Sequence, residues 1–378
     1  MLKTDCYHNF IENYYGKKAC VLTMDSFISP VFTKKDCQQL INEMVMNDAF
    51  EWTINGTTTS PINKFIQIDI NNFKSLTNNF YFDSSEEKYI NFSGHNCHQY
   101  SQKLQIKSSQ FLYPIFRIHG IPSNGVNIFI FGGNYRKTPA GLHSDVCDVF
   151  LFPIVGHKKL FTWASDMLDK KNPKYINGKI NARRLPTVDY SEHVNSSTLL
   201  EAQEGEAIYF PAGTWHINDY GKMTSTISIG ISIFRNADVN MLIVPILKSQ
   251  SFDDFFKHED MNKVKLINYL IKEIKLNLLK KQSSYGFITY INKEINLTKI
   301  TRGLQLVKET SFDIYSVKSD EYLYLISNGR IIRTLFNKNL TEFIHKINSV
   351  KKFTLDDTII EYKDIIKWLL STGILKFC

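Results

Sequence analysis

The chain has 378 residues, 43% of them apolar, with a formal net charge of +8. The length suggests two or three structural units, and the apolar share supports a real core. No run of about 18 residues is both apolar and free of charge, which excludes a transmembrane helix, and the start MLKTDCYHNFIENYYGKK lacks the continuous apolar region of a secretory signal. A charge of +8 would suit a polyanion such as RNA or a ribosome surface. No long Lys/Arg block is present, however, and a solvated lysine surface explains the charge as well. With 27 Phe and 19 Tyr, the core is expected to be largely aromatic.

In chain order, Asn9–Tyr15 reads as a short helix and KKACVLTM as a strand entering the core. Phe32–Met46 has helical spacing, with Thr33 or Lys34 near its start. From Phe65 to Phe234 the pattern is β: IQIDI, VNIFIFGG, DVFLFPIV, KKLFTW, EAIYFPAG and STISIGISIF. Turn residues separate these runs, namely Ser123-Asn124-Gly125, Gly132-Gly133, Gly156 and Pro211-Ala212-Gly213. Many short strands with such punctuation argue for a sandwich or barrel. The period then changes. In VKLINYLIKEIKLNLLKK, residues Ile267, Leu270, Ile271, Ile274 and Leu278 share one helical face, so helices are expected over about 238–300. That face suits packing within its own domain or dimerisation. YLYLI, Ser327-Asn328-Gly329 and RIIRTLF then read as a hairpin. Helices over Leu340–Ile347 and Ile359–Ser371 follow, with a cap at Gly373 and ILKF as a closing strand. This last part is winged-helix-like. Residues 301–378 carry 12 Lys and Arg against 9 Asp and Glu, a weak basis for nucleic-acid binding, so a structural or protein-contacting role is preferred. The six cysteines (Cys6, Cys20, Cys37, Cys97, Cys147 and Cys378) form no CxxC pair, which fits reduced thiols in a cytosol.

The stretch GLHSDVCDVFLFPIVGHKKLFTW, Gly141 to Trp163, places ionic groups in an apolar β run. In an extended segment residues i and i+2 point to one side, so His143 and Asp145 project together. GEAIYFPAGTWH supplies a third group, His216, after a strand and a Pro-Ala-Gly turn. Two histidines and one carboxylate hold one face of an octahedral Fe(II) and leave three positions open. HxD alone is a weak signal, since isolated core histidines are common. Lys158, at the start of the strand after Gly156, strengthens it: a dicarboxylate chelating iron through one end needs a counter-charge for the other. Lys159 competes for that role, but adjacent strand residues face opposite ways, so only one of the two enters the pocket.

These segments resemble the JmjC-type 2-oxoglutarate oxygenases, and most of all the ribosomal oxygenases among them. The similarity extends over nearly the whole chain: NFIENYYGKKACVL, VNIFIFGG, DVFLFPIVGHKKLFTW and LEAQEGEAIYFPAGTWH each match a family segment. The resemblance implies an α+β fold. A double-stranded β-helix (cupin or jelly-roll) catalytic domain with an N-terminal α/β elaboration would occupy 1–237. A helical dimerisation region over 238–300 and a winged-helix-like domain over 301–378 would follow. It also implies that His143, Asp145 and His216 ligate Fe(II), and that Lys158 binds the distal carboxylate of 2-oxoglutarate. Asn127 and Ser232 would be further cosubstrate-pocket residues, although a strand-edge hydrogen-bonder and an outward strand position are the plain alternatives. Phe129 departs from the family, which often has an aromatic hydroxyl there. The loop Asn134–Leu142, with Tyr135, Arg136 and Lys137, is longer than usual, and Gly205-Glu206 replaces a Gly-Asp. None of these removes a ligand.

The implied activity is O₂-dependent hydroxylation of an amino-acid side chain, arginine or histidine, in a protein or peptide, with release of succinate and CO₂. Alternatives are tailoring of a ribosomally made peptide, RNA hydroxylation, or a non-catalytic metal-binding cupin scaffold. The expected setting is a cytoplasmic homodimer, with RNA or ribosome contact only weakly suggested. Other clusters rank lower. His95, Cys97 and His98 lack a partner pair for zinc and read as a surface loop. Phe131 to Asn134 (FGGN) is no phosphate loop. Arg183 and Arg184 suit a solvated loop better than substrate contact, His157 suits packing, and Asp148 faces away from Asp145.

Overall fold

The computed structural model describes residues 3–54, 57–59, 69–71, 90–122, 125–164, 183–185, 190–235, 246–249, 253, 263–287, 297–309, 312–356 and 361–378. Contacts divide the chain into two units. The first comprises Met1–Ile115 and Asn127–Phe234, the second Phe116–Val126 and Arg235–Cys378.

Unit one starts with helix α1 (Thr4–Asn13), N-terminal to the expected Asn9, and strand β1 (Cys20–Leu22). Helix α2 (Lys34–Met46) begins where a capping box allows. The Thr33 side chain accepts from the Asp36 N–H, and Asp36 accepts from the Thr33 N–H in return, worth about 1 kcal/mol for the cap. Strands β2 (Glu51–Ile54), β3 (Thr57–Thr59) and β4 (Ile90–Gly94) follow. The expected strand IQIDI lies mostly outside the described residues. Helix α3 (Gln102–His119) then interrupts the region read as all β. Its buried residues Leu104, Phe111, Leu112 and Ile115 recur at helical spacing. Pro114 inside it disguises that period, because proline usually ends a helix.

The remaining strands of this unit are β5 (Val126–Lys137), β6 (Leu142–Ser144), β7 (Asp148–Val155), β8 (Lys158–Trp163), β9 (Arg183–Leu185), β10 (Thr198–Ala202), β11 (Ala207–Phe210) and β12 (Trp215–Ile233). One face runs β1-β11-β7-β12-β5-β4-β2-β3, and the other contains β10, β8, β12, β6 and β9. The long β12 belongs to both. Its residues Trp215–Asn218 pair antiparallel with β8, and Ile227–Ile233 pair antiparallel with β7. Sharing a strand closes the two faces into a barrel-like jelly roll, as the turn-punctuated pattern predicted. Gly132-Gly133 is not a turn: β5 runs straight through it. A Cβ at Gly132 would meet the Phe92 ring of the neighbouring strand at 2.5 Å.

After Asp148, the run VFLFPIV is apolar throughout because β7 is covered on both sides. Val149 and Leu151 face the barrel interior. Phe150 and Phe152 face helices, with ring centroids 5.6 Å (Phe10–Phe150), 5.0 Å (Phe111–Phe150) and 5.4 Å (Phe111–Phe152) apart. The two Phe111 pairs are edge-on and Phe10–Phe150 is tilted; such aromatic pairs add about 0.5–1.5 kcal/mol each beyond area burial. On the interior side, a Cβ at Gly230 would fall inside the Phe129 ring. Gly230→Ala is therefore expected to destabilise by about 1–3 kcal/mol through overpacking and to push Phe129 into the cavity. Chemical denaturation checks the first effect, and a crystal structure of the variant the second.

Unit two contains helix α4 (Lys263–Ser283), within the expected helical span. Tyr269 and Leu276 are its buried side, whereas Val264, Ile267, Ile271 and Leu278 are 50–65% exposed. Of the stripe singled out in the sequence, Ile267, Ile271 and Leu278 are exposed, while Leu270 and Ile274 are half-buried. Strands β13 (Gln305–Lys308), β17 (Lys352–Thr354) and β18 (Leu375–Phe377) form one three-stranded antiparallel sheet. Strands β14 (Tyr315–Ser319), β15 (Tyr322–Ser327) and β16 (Arg330–Leu335) form a second. The β15–β16 hairpin turns at Asn328 and Gly329, both with positive φ, as Asn-Gly favours. Helices α5 (Lys338–Ser349) and α6 (Lys363–Ser371) match the two expected ones. Among the described residues no helix is long and apolar enough to cross a membrane.

Candidate active site

The pairing of β12 with β6 sets His216 opposite His143, and the two rings are 4.1 Å apart by centroid. Asp145 follows β6 directly, and its backbone carbonyl accepts the Gly213 N–H at 2.8 Å, which ties the two ligand-bearing turns together. Its Oδ2 is 3.7 Å from His216 Nε2. One donor atom from each of His143, Asp145 and His216 lies within 4.8 Å of the others. Among the described residues no other such group occurs. Nδ1 of His143 lies 2.8 Å from the Gly141 carbonyl, and Nδ1 of His216 lies 3.0 Å from the Thr214 carbonyl. With Nδ1–H donating to these carbonyls, both imidazoles keep an Nε2 lone pair for a metal. Burial and the neighbouring His143 push the His216 imidazole down to about 4, so it stands neutral and ready to ligate. Two nitrogens and one carboxylate on one side, open on the other, fit a facial octahedral Fe(II)-type centre.

The triad opens on a cavity of about 480 Å³ inside the barrel. Lys158 lines it, 4% exposed. The turn that delivers it requires Gly156, whose φ is +74° and where a Cβ would strike the Ser225 carbonyl oxygen at 2.6 Å. Lys159 points the other way and meets Glu201 at 3.7 Å. Lys158 Nζ donates to Tyr135 Oη at 3.0 Å, and Tyr135 donates in turn to Asn218 Oδ1 at 2.9 Å. Its ammonium sits 5.0 Å from the Phe131 ring centroid. Among the described residues no carboxylate is within ion-pair distance of it. Burial alone lowers its pKa from 10.5 to about 7.

The two remaining pocket candidates are placed differently. Asn127 shares a strand face with Phe129 and Phe131, but its Oδ1 accepts the Asn96 N–H at 2.8 Å. Asn127 is not among the described residues that line the cavity holding the triad and Lys158. Ser232 is 7% exposed, not outward, and stands opposite Val149 in the β12–β7 register.

Tyr135 was expected in a long loop. Instead β5 extends to Lys137, and Tyr135 is fully buried. Its parity with Phe129 and Phe131 was the available signal; the hydroxyl missing at Phe129 is present here. Asn218, two residues after His216, shares the face of that ligand and was equally legible. Arg136 and Lys137 are exposed, and Lys137 pairs with Asp219 at 3.7 Å. Arg184 stands opposite His143 in the β9–β6 register; the side chains of Arg183 and Arg184 lie outside the described residues. His157 packs on Tyr220, with centroids 5.1 Å apart. Cys97 and His98 are buried, at 0% and 1%, and not in a surface loop: a short 3₁₀ turn carries them under Met44.

Asp148 does face away from the metal, and it has a task there. Completely buried, it accepts the Ala212 N–H at 2.9 Å and the Tyr209 hydroxyl at 3.3 Å, pinning the Pro-Ala-Gly turn that aims His216. Asp148→Ala strands two donors at about 1–3 kcal/mol each. The expected result is a lower denaturation midpoint together with about 10–100-fold weaker metal binding, measured by urea unfolding and Co(II) titration.

The jelly-roll fold of this chain is shared with solved structures of a ribosomal oxygenase. The structure of Escherichia coli YcfD aligns over 100% of this chain and 99% of its own, with a TM-score of 0.56 and 12% identity. A structure of that ribosomal oxygenase in complex with cobalt and 2-oxoglutarate aligns over the same extents, with a TM-score of 0.51 and 11% identity. At these identities the likeness is one of fold. No protein-family model matches the chain, and the search of curated proteins finds no match.

Proposed function

We propose that this protein is an Fe(II)- and 2-oxoglutarate-dependent oxygenase that hydroxylates a side chain of a protein or peptide. The observation that carries this reading is the pairing of the triad with Lys158 in one cavity. A metal-binding scaffold has no use for a buried lysine without a carboxylate partner, whereas a dicarboxylate cosubstrate supplies that partner. His143, Asp145 and His216 would hold the iron, which when bound supplies the O₂-activating and oxidising chemistry. Lys158 binds and orients the far carboxylate, with Tyr135 and Asn218 holding its ammonium in place. Phe129, Val149, Leu151 and Leu160 keep water from the reacting centre. The fold likeness to a ribosomal oxygenase crystallised with cobalt and 2-oxoglutarate supports the same assignment.

By the sequence resemblance, the hydroxylated residue is arginine or histidine, and the products include succinate and CO₂. The apolar stripe Val264, Ile267, Ile271 and Leu278 suits a helical dimerisation region that packs on a second copy. The hairpin, sheets and helices of residues 301–378 suit a winged-helix-like module that contacts protein. A cytoplasmic setting fits the cysteines, of which the described ones are all free thiols. The test is succinate formation from 2-oxoglutarate by the Fe(II)-loaded protein under air, with a peptide pool present, beside the His143→Ala and Lys158→Ala variants. Succinate that vanishes in both variants supports the oxygenase. Absence of both succinate and 2-oxoglutarate binding in the wild type overturns it.

A further inference from the structure

Asn91 has no part in the triad or in the Lys158 network, yet it lines the same cavity. It is 2% exposed, and among the described residues neither Oδ1 nor Nδ2 of its carboxamide has a hydrogen-bond partner. Leaving a buried donor and acceptor unpaired costs about 1–3 kcal/mol apiece. Native proteins pair nearly all such groups, so an exception calls for an explanation. Here the surroundings provide one. Ser93, on the same face of β4, also borders the cavity, as does His95 just beyond the strand. Glu51 stands opposite Ser93 in the β2–β4 register and reaches the cavity too. This wall is polar, whereas the part formed by Phe129, Val149 and Leu151 is apolar.

We propose that Asn91 is the substrate-recognition residue of this cavity and that the group it binds is an amide. A carboxamide offers one acceptor and one donor in a plane. A carboxylate would satisfy only Nδ2, and an ammonium or guanidinium only Oδ1. An amide satisfies both. The source is either the side chain of Gln or Asn, or an extended main-chain residue, whose own N–H and C=O point the same way. The inference rests on the oxygenase reading in one respect, that the amide belongs to the substrate.

The experiment is fluorescence-anisotropy titration of the full chain with three labelled short-peptide pools: central Gln, central Leu, and central Leu with an N-methylated main chain. Binding of the Gln pool alone identifies the side-chain source. Binding of the Gln and Leu pools, lost on N-methylation, identifies the main chain. In either case Asn91→Leu is expected to weaken binding by about tenfold or more without lowering Tm, because it removes two unpaired polar atoms. Asn91→Asp, which keeps the shape and loses the donor, weakens it as well. Variants that bind as tightly as the wild type, or a wild type that binds no pool, overturn the proposal. Binding of 2-oxoglutarate to the Mn(II)-loaded protein is measured in parallel. Its failure sinks the oxygenase reading, and the peptide titration still decides Asn91.

Discussion

Lys158→Met is expected to weaken 2-oxoglutarate binding by about 2–5 kcal/mol, the usual loss on truncating one partner of a buried charge pair. That is roughly 30-fold to a few thousandfold in Kd, read by calorimetry on the Mn(II)-loaded protein. The same substitution is expected to leave Tm unchanged or higher, because it removes an amine that burial already disfavours as a cation. Unchanged affinity would remove Lys158 from the cosubstrate site. A pH dependence follows from the same residue. In the ligand-free pocket burial holds the Lys158 pKa near 7, down from 10.5. Below that pH the lysine is already protonated and accepts the carboxylate directly. Above it, binding must take up a proton, so Kd rises by up to tenfold per pH unit. The slope is expected to appear above about pH 7 and to vanish in Lys158→Met. Calorimetry in buffers of different ionisation enthalpy reads the proton uptake itself.

His216→Ala and Asp145→Ala are each expected to abolish metal binding in practice, with at least about 10²-fold weaker affinity. That exceeds the roughly 10–100-fold typical of a second-layer hydrogen-bond partner, because a three-ligand face loses one ligand outright. The d–d absorption of a Co(II) complex or the EPR signal of Mn(II) measures it. The two variants differ in stability. Asp145 is about one-third exposed, at 35% of its side chain, whereas the His216 side chain is buried at 5%. The Asp145 variant is therefore expected to unfold near the wild-type midpoint. The His216 variant loses packing against Phe210, whose ring centroid is 4.4 Å away, and is expected to unfold earlier. Metal binding that survives in both variants would show that the cluster is not the metal centre.

Local rules determined much of this protein in the sequence itself. The i, i+2 parity of a strand put His143 and Asp145 on one side, and the same parity separated Lys158 from Lys159. The Pro-Ala-Gly turn placed His216 after an apolar strand, and Thr33 marked the start of a helix. Each depends on backbone geometry within a few residues, which any reader of the chain can apply. Tertiary structure decided the rest. Only the pairing of β12 with β6 brought His216 opposite His143 across the intervening chain. Only the continuation of β5 past Gly132-Gly133 carried Tyr135 inward to meet Lys158. The apolar face of α4 reads like a core stripe, yet its Ile267, Ile271 and Leu278 are exposed, because helical periodicity states which residues share a side and not what covers it. Asn91 gives no sequence signal at all. Its significance lies in hydrogen bonds that are not made, and whether a polar group is left unpaired depends on every chain segment packed around it.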